Sequence, residues 1–432
     1  MKYSFTSFFC LVLVLLSCTQ NEITPPPVNL SNNLANTVPI PSSIMENMEG
    51  IYTLGDGQSN LGTEFVCKVS FNKVSFFGNQ NGIFLILSYG LKSDNSIQFS
   101  GFWRVSETSS QGTINFAMRA NDGALDLINS IVNLTPAFKL VGIFKFGGDA
   151  KGMELKYAKP FSSFTKANEF MIFGHHGIQT TANPPYAENS VKGVLNAEGY
   201  GVNGMELDVR LTKDHVPIFI HDAAINTRLT LKGPLFGNYD QYSFDFLTEF
   251  ITLIDGQKIP SVEQILRKVV DSTSLKYVWL DIKGNDDIFK YLEPVIRNAY
   301  SRAVAQNRDI TIFAGLPSDD VIAEFNAQPT YKTNNSNYIN DTPYPKYTLP
   351  LPTLCELSVD CAIANGSRFF GPRYSEGLLL PDVDRAHAAG IKVISWTLND
   401  KNTIKNYLQN GRFDGFITDY PAIVVYNYYT MF

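Results

Sequence analysis

The chain has 432 residues, of which 44% are hydrophobic and 18% are charged, and its formal net charge is −6. This composition excludes an intrinsically disordered protein, and the acidic balance offers no basic surface for nucleic acid. Because 432 residues exceed the size of one ordinary domain, we expect two domains.

The N-terminus has the pattern of an export signal. Lys2 precedes an apolar run from Phe8 to Leu16, which is too short to span a bilayer. Ser17 and Cys18 follow this run and resemble the bacterial lipobox. We therefore expect residues 1–17 to be a signal peptide and Cys18 to carry lipid, which predicts a membrane-anchored lipoprotein on the periplasmic or cell-surface side. The alternative is a plain signal peptide followed by an incidental cysteine.

Residues 18–44 are rich in Pro, Asn and Ser and lack apolar periodicity, so we expect a disordered tether. Three cysteines, Cys67, Cys355 and Cys361, lie beyond this tether. Cys355 and Cys361 are near enough in sequence to pair with each other, and buried free thiols are the open alternative.

Residues 45–160 have the pattern of a small all-β accessory domain. Short apolar or alternating runs are separated by turn clusters, which predicts an antiparallel sandwich or barrel. The predicted strands are Phe65–Phe71, Ile83–Tyr89, Ile97–Val105, Thr113–Arg119, Lys139–Phe146 and Met153–Tyr157. The interval Asp122–Pro136 has room for a short helix.

From residue 165 to 432, strands alternate with helices, which is typical of an α/β protein and predicts a (β/α)₈ TIM-type barrel. The predicted strands are Phe170–Phe173, Met205–Val209, Ile218–Ile220, Tyr277–Ile282, Ile310–Ala314, Arg368–Gly371, Lys392–Thr397 and Gly415–Thr418. The predicted helices are Ser190–Glu198, Ser261–Val270, Asp286–Arg302, Ser318–Asn326, Asp382–Ala389 and Lys401–Gln409. The Pro- and Asn-rich interval Thr330–Pro352 is either an irregular barrel strand or a long loop at the site.

Three acidic residues interrupt apolar strands. Glu206 and Asp208 lie two residues apart on one strand, so both carboxylates project from the same face. Asp281 lies in a second apolar strand, and the ends of barrel strands converge on one rim. A single strand acid is usually a paired structural carboxylate, but three clustered acids are costly unless cations or protons neutralise them. Their oxygens favour one hard divalent cation, Ca²⁺ or Mg²⁺.

Other polar residues lie at predicted strand ends near these acids. His175 and His221 flank the acid pair in sequence, and two imidazoles suit acid–base catalysis near neutral pH. A lone histidine at a strand end is more often a hydrogen-bonded core residue. Lys283 shares a strand face with Asp281, so it either contacts a phosphate or balances the acids. Trp396 either flanks a substrate or belongs to the core.

An ordered set of motifs resembles the glycerophosphodiester phosphodiesterases. The resemblance runs from about residue 170 to 425 and does not cover residues 45–160. The motifs are His175-His176-Gly177, Glu188-Asn189-Ser190, Glu206-Leu207-Asp208-Val209, Thr212-Lys213-Asp214, His221-Asp222, Leu280-Asp281-Ile282-Lys283, Trp396-Thr397 and Phe413–Pro421.

This resemblance implies metal-dependent hydrolysis of glycerophosphodiesters to an alcohol and glycerol phosphate. By position, His175 and His221 match the catalytic histidines, and Glu206, Asp208 and Asp281 match the metal ligands. Glu188 is expected to orient His175 or the metal site, and His176, Lys283 and Trp396 are expected to line the substrate site.

Two positions depart from the pattern that the family usually shows. Asp281 stands where the family usually has glutamate, and His176 stands where it usually has a phosphate-binding arginine. The substrate is therefore expected to be a small phosphodiester or a lipid headgroup. Two alternatives are a phospholipase-type diesterase acting on phosphoinositide or sphingolipid headgroups, and a catalytically decayed lipoprotein that binds a phosphorylated ligand. Retention of both histidines and all three acids argues against decay, and the oligomeric state is left open.

Overall fold

The computed structural model describes residues 33–57, 59–108, 110–129, 138–146, 149–178, 186–284, 287–328 and 351–432. The predicted signal peptide, Cys18 and most of the predicted tether lie outside the described residues. Nearly all of the interval Thr330–Pro352 also lies outside them. No helix in the described ranges combines the length and the apolar character needed to cross a bilayer.

The first domain is a closed antiparallel barrel in which strands pair in chain order and the last strand pairs with the first. Its strands are β1 Gly50–Gly57, β2 Glu64–Ser70, β3 Lys73–Gly78, β4 Ile83–Leu91, β5 Ile97–Val105, β6 Gln111–Met118, β7 Lys139–Phe146 and β8 Asp149–Lys159. Large aromatic side chains such as Phe76, Trp103 and Phe116 fill the interior. The all-β prediction is confirmed, but β1 and β3 were missed. Three glycines weaken the strand signal of β1.

The second domain is a TIM-type barrel, as the sequence predicts. Its parallel strands pair in the order β9-β10-β12-β13-β14-β15-β16-β17 and close between β17 and β9. The strands are β9 Met171–Gly174, β10 Gly204–Leu211, β11 Pro217–Phe219, β12 Tyr277–Ile282, β13 Thr311–Leu316, β14 Thr353–Cys355, β15 Phe369–Phe370, β16 Lys392–Ser395 and β17 Gly415–Thr418.

One predicted strand of this domain lies outside the closed barrel, and one barrel strand was missed. The apolar run Ile218–Ile220, which overlaps β11, is not a strand of the closed barrel. Instead, β11 pairs antiparallel with the end of β10 and forms a hairpin. The barrel instead takes β14, which has only three residues and follows a Pro-rich tract. Local apolar character does not show whether a strand pairs parallel or antiparallel to its neighbour. The sequence therefore could not distinguish the hairpin strand β11 from the barrel strand β14.

The helices are α1 Ser42–Met45, α2 Ala124–Ile128, α3 Ser163–Ala167, α4 Val191–Asn196, α5 Phe244–Phe250, α6 Val262–Ser272, α7 Ile288–Ala305, α8 Asp319–Ala327, α9 Val359–Ala364, α10 Leu380–Ala388, α11 Lys401–Asn410 and α12 Pro421–Met431. Ser261 and Ser318 accept hydrogen bonds from backbone N–H groups in the first turns of α6 and α8, as their cap-like sequence predicts. The helix α2 lies inside the interval Asp122–Pro136. The helix α12 was missed because apolar residues cover all its faces.

The outer face of the first barrel contributes to the apolar core of the second domain. In β3 and β4, alternate residues such as Phe76 and Leu85 fill the first barrel, whereas Phe77 and Phe84 point outward into the core of the second. The helix α12 packs against the outer side of β2 and β3. Because both faces of these strands are covered, their sequence is apolar without alternation.

Polar contacts also join the two barrels at this interface, which forms a seam between β2–β4 of the first barrel and α12 with the segment around Gly201 of the second. The hydroxyl of Tyr426 on α12 donates to Glu64 over 2.5 Å, and the hydroxyl of Ser75 donates to the carbonyl of Gly199 over 2.7 Å. Gly201 adopts φ +86°, and a Cβ there would lie 2.7 Å from both Phe77 and Val425. Glycine is therefore required at position 201, where Phe77 and Val425 leave no room for a side chain.

Replacing Phe77 with alanine tests the seam. We expect Phe77→Ala to lower the free energy of unfolding by about 3–5 kcal/mol, because it leaves a cavity between the barrels. Phe71→Ala is the matched control, since Phe71 is 61% exposed and its loss should change stability by less than about 0.5 kcal/mol. Urea unfolding followed by circular dichroism measures both, and equal stability of the two variants would contradict the shared core.

Candidate active site

Three carboxylates meet at the carboxyl ends of neighbouring barrel strands. Glu206 and Asp208 lie on β10, and Asp208 stands directly opposite Asp281 of β12 in the parallel register. One oxygen from each carboxylate lies within 4.8 Å of the other two. Glu206 and Asp208 are buried, with 3% and 0% of their surfaces exposed. The structure therefore brings together the three acids that the sequence predicted as ligands.

The charge of this cluster is only partly compensated. Lys283 places its Nζ 3.1 Å from Asp208 Oδ1 and 2.6 Å from Asp281 Oδ2. Glu206 Oε2 accepts a hydrogen bond from the His176 backbone N–H over 2.8 Å, but the buried Glu206 Oε1 has no hydrogen-bond partner in the described chain. Burial and the nearby Asp208 charge raise the pKa of Glu206 well above its ordinary value. This arrangement fits a cation.

Asn189 holds Asp208 in place. Its side-chain amide donates to Asp208 Oδ2 over 2.7 Å, and its carbonyl oxygen accepts from the Asp208 backbone N–H over 3.0 Å. Asn189 is fully buried and has φ +56°, a left-handed conformation that asparagine tolerates. The sequence motif contains this residue, but its spacing carries no signal for this role.

Each predicted catalytic histidine has its Nδ1 against a carboxylate. The Nδ1 of His175 lies 2.7 Å from Asp419 Oδ1, and the Nδ1 of His221 lies 2.7 Å from Asp222 Oδ1. A carboxylate at Nδ1 orients the ring and leaves Nε2 for proton exchange. Burial and the neighbouring His176 lower the pKa of His175, although Asp419 opposes that change.

His176 is a buried histidine between the two predicted catalytic histidines. Its ring centroid lies 3.6 Å from that of His175 and 4.8 Å from that of His221. Burial alone would lower its pKa, but Asp208, 3.6 Å away, and Glu188, 3.5 Å away, raise it to about 10. With only 7% of its surface exposed, His176 lies among carboxylates, and the substrate contact that the sequence predicted for it stays a prediction.

Glu188 Oε2 lies 3.5 Å from Nδ1 of His176, whose Nε2 lies 3.6 Å from Asp208, while the sequence predicted that Glu188 orients His175 or the metal site. Its other oxygen binds Arg228, whose Nη1 lies 2.5 Å from Glu188 Oε1. Arg228 also lies 2.8 Å from Asp222 Oδ1, so it joins Glu188 to the carboxylate that holds His221. The sequence analysis missed Arg228, because nothing in its local pattern separates it from an ordinary surface arginine.

Trp396 lies on the same rim, just after β16. Its indole Nε1 donates to the carbonyl of Gly371 over 2.7 Å, and the guanidinium of Arg373 lies 5.0 Å from its ring centroid. It is partly buried, so it borders the mouth and also packs onto the core.

A fourth acid at the mouth was missed together with its strand. Glu356 directly follows β14. Burial raises its pKa to about 8, with a further contribution from Asp281 that Lys283 and Arg373 oppose. Cys355, the last residue of β14, forms a disulfide with Cys361 on α9. The alternative of free thiols is therefore wrong for this pair, whereas Cys67 is a buried free thiol.

Comparison with known families decides the identity. The profile of the glycerophosphoryl diester phosphodiesterase family matches residues 175–423, which is more than half of the chain. This chain belongs to that family. It is therefore a phosphoric diester hydrolase with a TIM-type barrel.

Several relatives of this phosphodiesterase carry related names. A glycerophosphodiester phosphodiesterase of Caldanaerobacter subterraneus is 24% identical over 266 residues, covering 59% of this chain and 96% of the relative. A solved glycerophosphodiester phosphodiesterase from Parabacteroides distasonis is 18% identical, with a TM-score of 0.46 and coverage of 61% and 98%. A phosphodiesterase from Oleispira antarctica, solved in complex with the product sn-glycerol-3-phosphate, is 17% identical, with a TM-score of 0.44 and coverage of 60% and 96%.

Of the two departures from the usual family pattern, Asp281 belongs to the acid cluster of this phosphodiesterase and His176 lies against it. Asp281 is one methylene shorter than glutamate, and Lys283 fills the space beside it at 2.6 Å. His176 supplies a buried positive charge where the family usually has arginine. Its imidazole lacks the planar fork with which arginine grips a phosphate.

Proposed function

We propose that this phosphodiesterase hydrolyses glycerophosphodiesters to an alcohol and glycerol phosphate. In this proposal Glu206, Asp208 and Asp281 hold one divalent cation, and His175 and His221 act as the acid–base pair. One observation carries the proposal: two carboxylate-held imidazoles border three clustered carboxylates at one barrel mouth. The names of the relatives support the substrate class.

The acid cluster fits a hard cation. All three side chains offer oxygen ligands, which suit Ca²⁺ or Mg²⁺, and the unpartnered Glu206 Oε1 is a buried acceptor without compensation in the described residues. When bound, such a cation would stabilise the negative charge that develops on the phosphate. Lys283, which already lies between two of the acids, would add a fixed positive charge on the same side.

In this proposal the two histidines carry out the two proton transfers of the reaction. One imidazole takes a proton from the attacking oxygen as that oxygen bonds to phosphorus, and the other gives a proton to the alkoxide as its bond to phosphorus breaks. Asp419 and Asp222 stabilise the imidazolium that forms on each ring. The proton balance is the same whether the attacking oxygen comes from water or from a neighbouring hydroxyl of the substrate, so we assign the pair jointly.

Export is supported by a separate feature. The disulfide between Cys355 and Cys361 is stable in an oxidising compartment. We therefore propose that the protein acts outside the cytoplasm. The lipobox-like Ser17-Cys18 supports the further proposal that lipid on Cys18 anchors it to a membrane.

Removal of either catalytic histidine tests the acid–base assignment. We expect His175→Ala and His221→Ala to lower kcat for sn-glycero-3-phosphocholine by a factor of about 10²–10⁴, with an unchanged circular dichroism spectrum. His387→Ala is the matched control, because this histidine is exposed on α10 and binds Asp414. Turnover of His221→Ala at the wild-type rate would rule out the assignment.

Metal removal and calorimetry test the cation site. We expect chelation to abolish turnover, and Ca²⁺ or Mg²⁺ to bind the stripped protein at one saturable site. Asp208→Asn and Asp281→Asn should weaken this binding by at least about 10–100-fold, the range for loss of a supporting group. Asp126→Asn is the control, since Asp126 is exposed on α2 of the other barrel. The cation site would be disproved if both site variants bound the ion as tightly as the wild type.

One surface feature favours a second candidate, hydrolysis of intact lipid headgroups. The segment after His221 exposes Leu231, Phe236, Phe246 and Phe250, with 42%, 81%, 42% and 44% of their surfaces accessible. The rings of Phe246 and Phe250 lie 4.7 Å apart, and Tyr242 stacks on Phe246 at 5.7 Å. Exposed apolar side chains of this kind suit contact with a lipid surface.

Vesicles separate the two candidates. If lipids are the substrates, the enzyme should cleave phospholipids in vesicles, and Phe236→Ser with Phe246→Ser should lower that rate while sparing soluble diesters. Phe71→Ser, an exposed aromatic of the first barrel, should lower neither rate. Cleavage of soluble diesters alone would exclude the lipid candidate.

A further inference from the structure

Glu356 is a half-buried carboxylate at the barrel mouth that the proposed acid–base chemistry does not use. It directly follows β14, and its backbone N–H donates to the carbonyl of Leu316 on β13. Its Oε1 is buried and has no hydrogen-bond partner in the part of the chain that the structure describes. A buried acceptor without a partner costs free energy, so such a group in a native site calls for an explanation.

A glycine opens the space next to this carboxylate. Gly315 of β13 lies between β12 and β14, and a Cβ built on it would stand 3.0 Å from Glu356 Oε1 and 2.7 Å from Trp279 Nε1. The Trp279 N–H is also buried and unpartnered in the described chain. An acceptor and a donor therefore both face the small space above Gly315, and any side chain at position 315 would press against both of them.

This space lies at the acid cluster. Trp279 and Asp281 are two residues apart on β12, so they share the face that looks into the barrel. Asp281 contributes to the cluster, and the charges of Asp281, Lys283 and Arg373 all act on Glu356. The carboxylate thus lines the mouth on the side of Asp281 opposite Asp208.

The chemistry of this position selects a hydroxylated ligand. A phosphate offers only acceptors and negative charge, so Glu356 and Asp281 would repel it. An ammonium group would meet Lys283 and Arg373. A hydroxyl group both donates and accepts, so it can give its proton to a carboxylate and accept from a neighbouring N–H.

We infer that Glu356, backed by Trp279 across the Gly315 gap, binds the glycerol hydroxyls of the substrate. The inference rests on the proposed function and adds to it, because it assigns a residue that selects the glycerol moiety over other alcohols. In this role Glu356 is a specificity-determining residue.

Two substrates that differ in hydroxyl groups test the role. Sn-glycero-3-phosphocholine carries free glycerol hydroxyls, whereas bis(p-nitrophenyl) phosphate carries none. The ratio of kcat/KM for the first over the second should fall about tenfold or more in Glu356→Ala, as expected for a lost hydrogen bond to a charged group. Glu356→Gln keeps one acceptor oxygen and should retain part of the ratio.

Two further variants guard against a purely structural effect. Gly315→Ala should lower the same ratio, because its Cβ displaces Glu356 and Trp279 while leaving both in the chain. Glu263→Gln, an exposed acid at the start of α6, should leave the ratio at the wild-type value. Thermal melting of each variant reports whether its fold is intact.

The outcomes separate this inference from the proposed function. An unchanged ratio in Glu356→Ala, or equal losses on both substrates, would overturn the role of Glu356 while the diesterase activity stands. If the wild type cleaved no glycerophosphodiester, the proposed function would fail. Calorimetry with sn-glycerol 3-phosphate and inorganic phosphate would then decide: weaker binding of the first alone in Glu356→Ala supports the hydroxyl contact, and equal binding refutes it.

Discussion

The repulsion among buried carboxylates is the constraint on which the rest of this site depends. Glu206, Asp208 and Asp281 crowd into one barrel mouth, and such a cluster is unfavourable in a low-dielectric interior unless positive charge accompanies it. Residues from different elements of the chain supply positive charge or hydrogen bonds to these carboxylates. Lys283 bridges two of the acids, the charged His176 lies against Asp208, and the amide of Asn189 holds the same carboxylate. A bound divalent cation would add further positive charge to the same cluster. The two imidazoles proposed as acid and base lie at its edge.

Much of the fold was predictable because strand and helix periodicities are local. The alternation of apolar strands with capped helices indicates a TIM-type barrel, and turn clusters indicate an all-β domain before it. The errors came where pairing depends on distant residues. The short β14 and the hairpin strand β11 have similar local patterns, and only their partners differ. The helix α12 has no polar face because two barrels cover it, so its sequence lacks the amphipathic signal that reveals a surface helix.

The site shows the same division between local and distant information. Glu206 and Asp208 were predictable, since a period of two places both on one strand face. Arg228 and Glu356 were not predictable, because their roles depend on contacts that only the fold creates. Arg228 joins Glu188 to Asp222. Glu356 lies near Asp281 and Gly315. His176 was singled out by position, but its burial among acids, and hence its charge, required the three-dimensional arrangement.

The position of α12 constrains the order in which the chain can mature during synthesis. The first barrel is complete by residue 159, long before the ribosome reaches Pro421. Its outer face, with Phe77 and Phe84, therefore emerges before its cover, which comes first from the segment around Tyr200 and later from α12. Domains fold as units as they leave the ribosome, and exposed apolar surface is prone to aggregate until it is buried. Until the eleven residues of α12 are translated, the part of this face that α12 covers stays exposed.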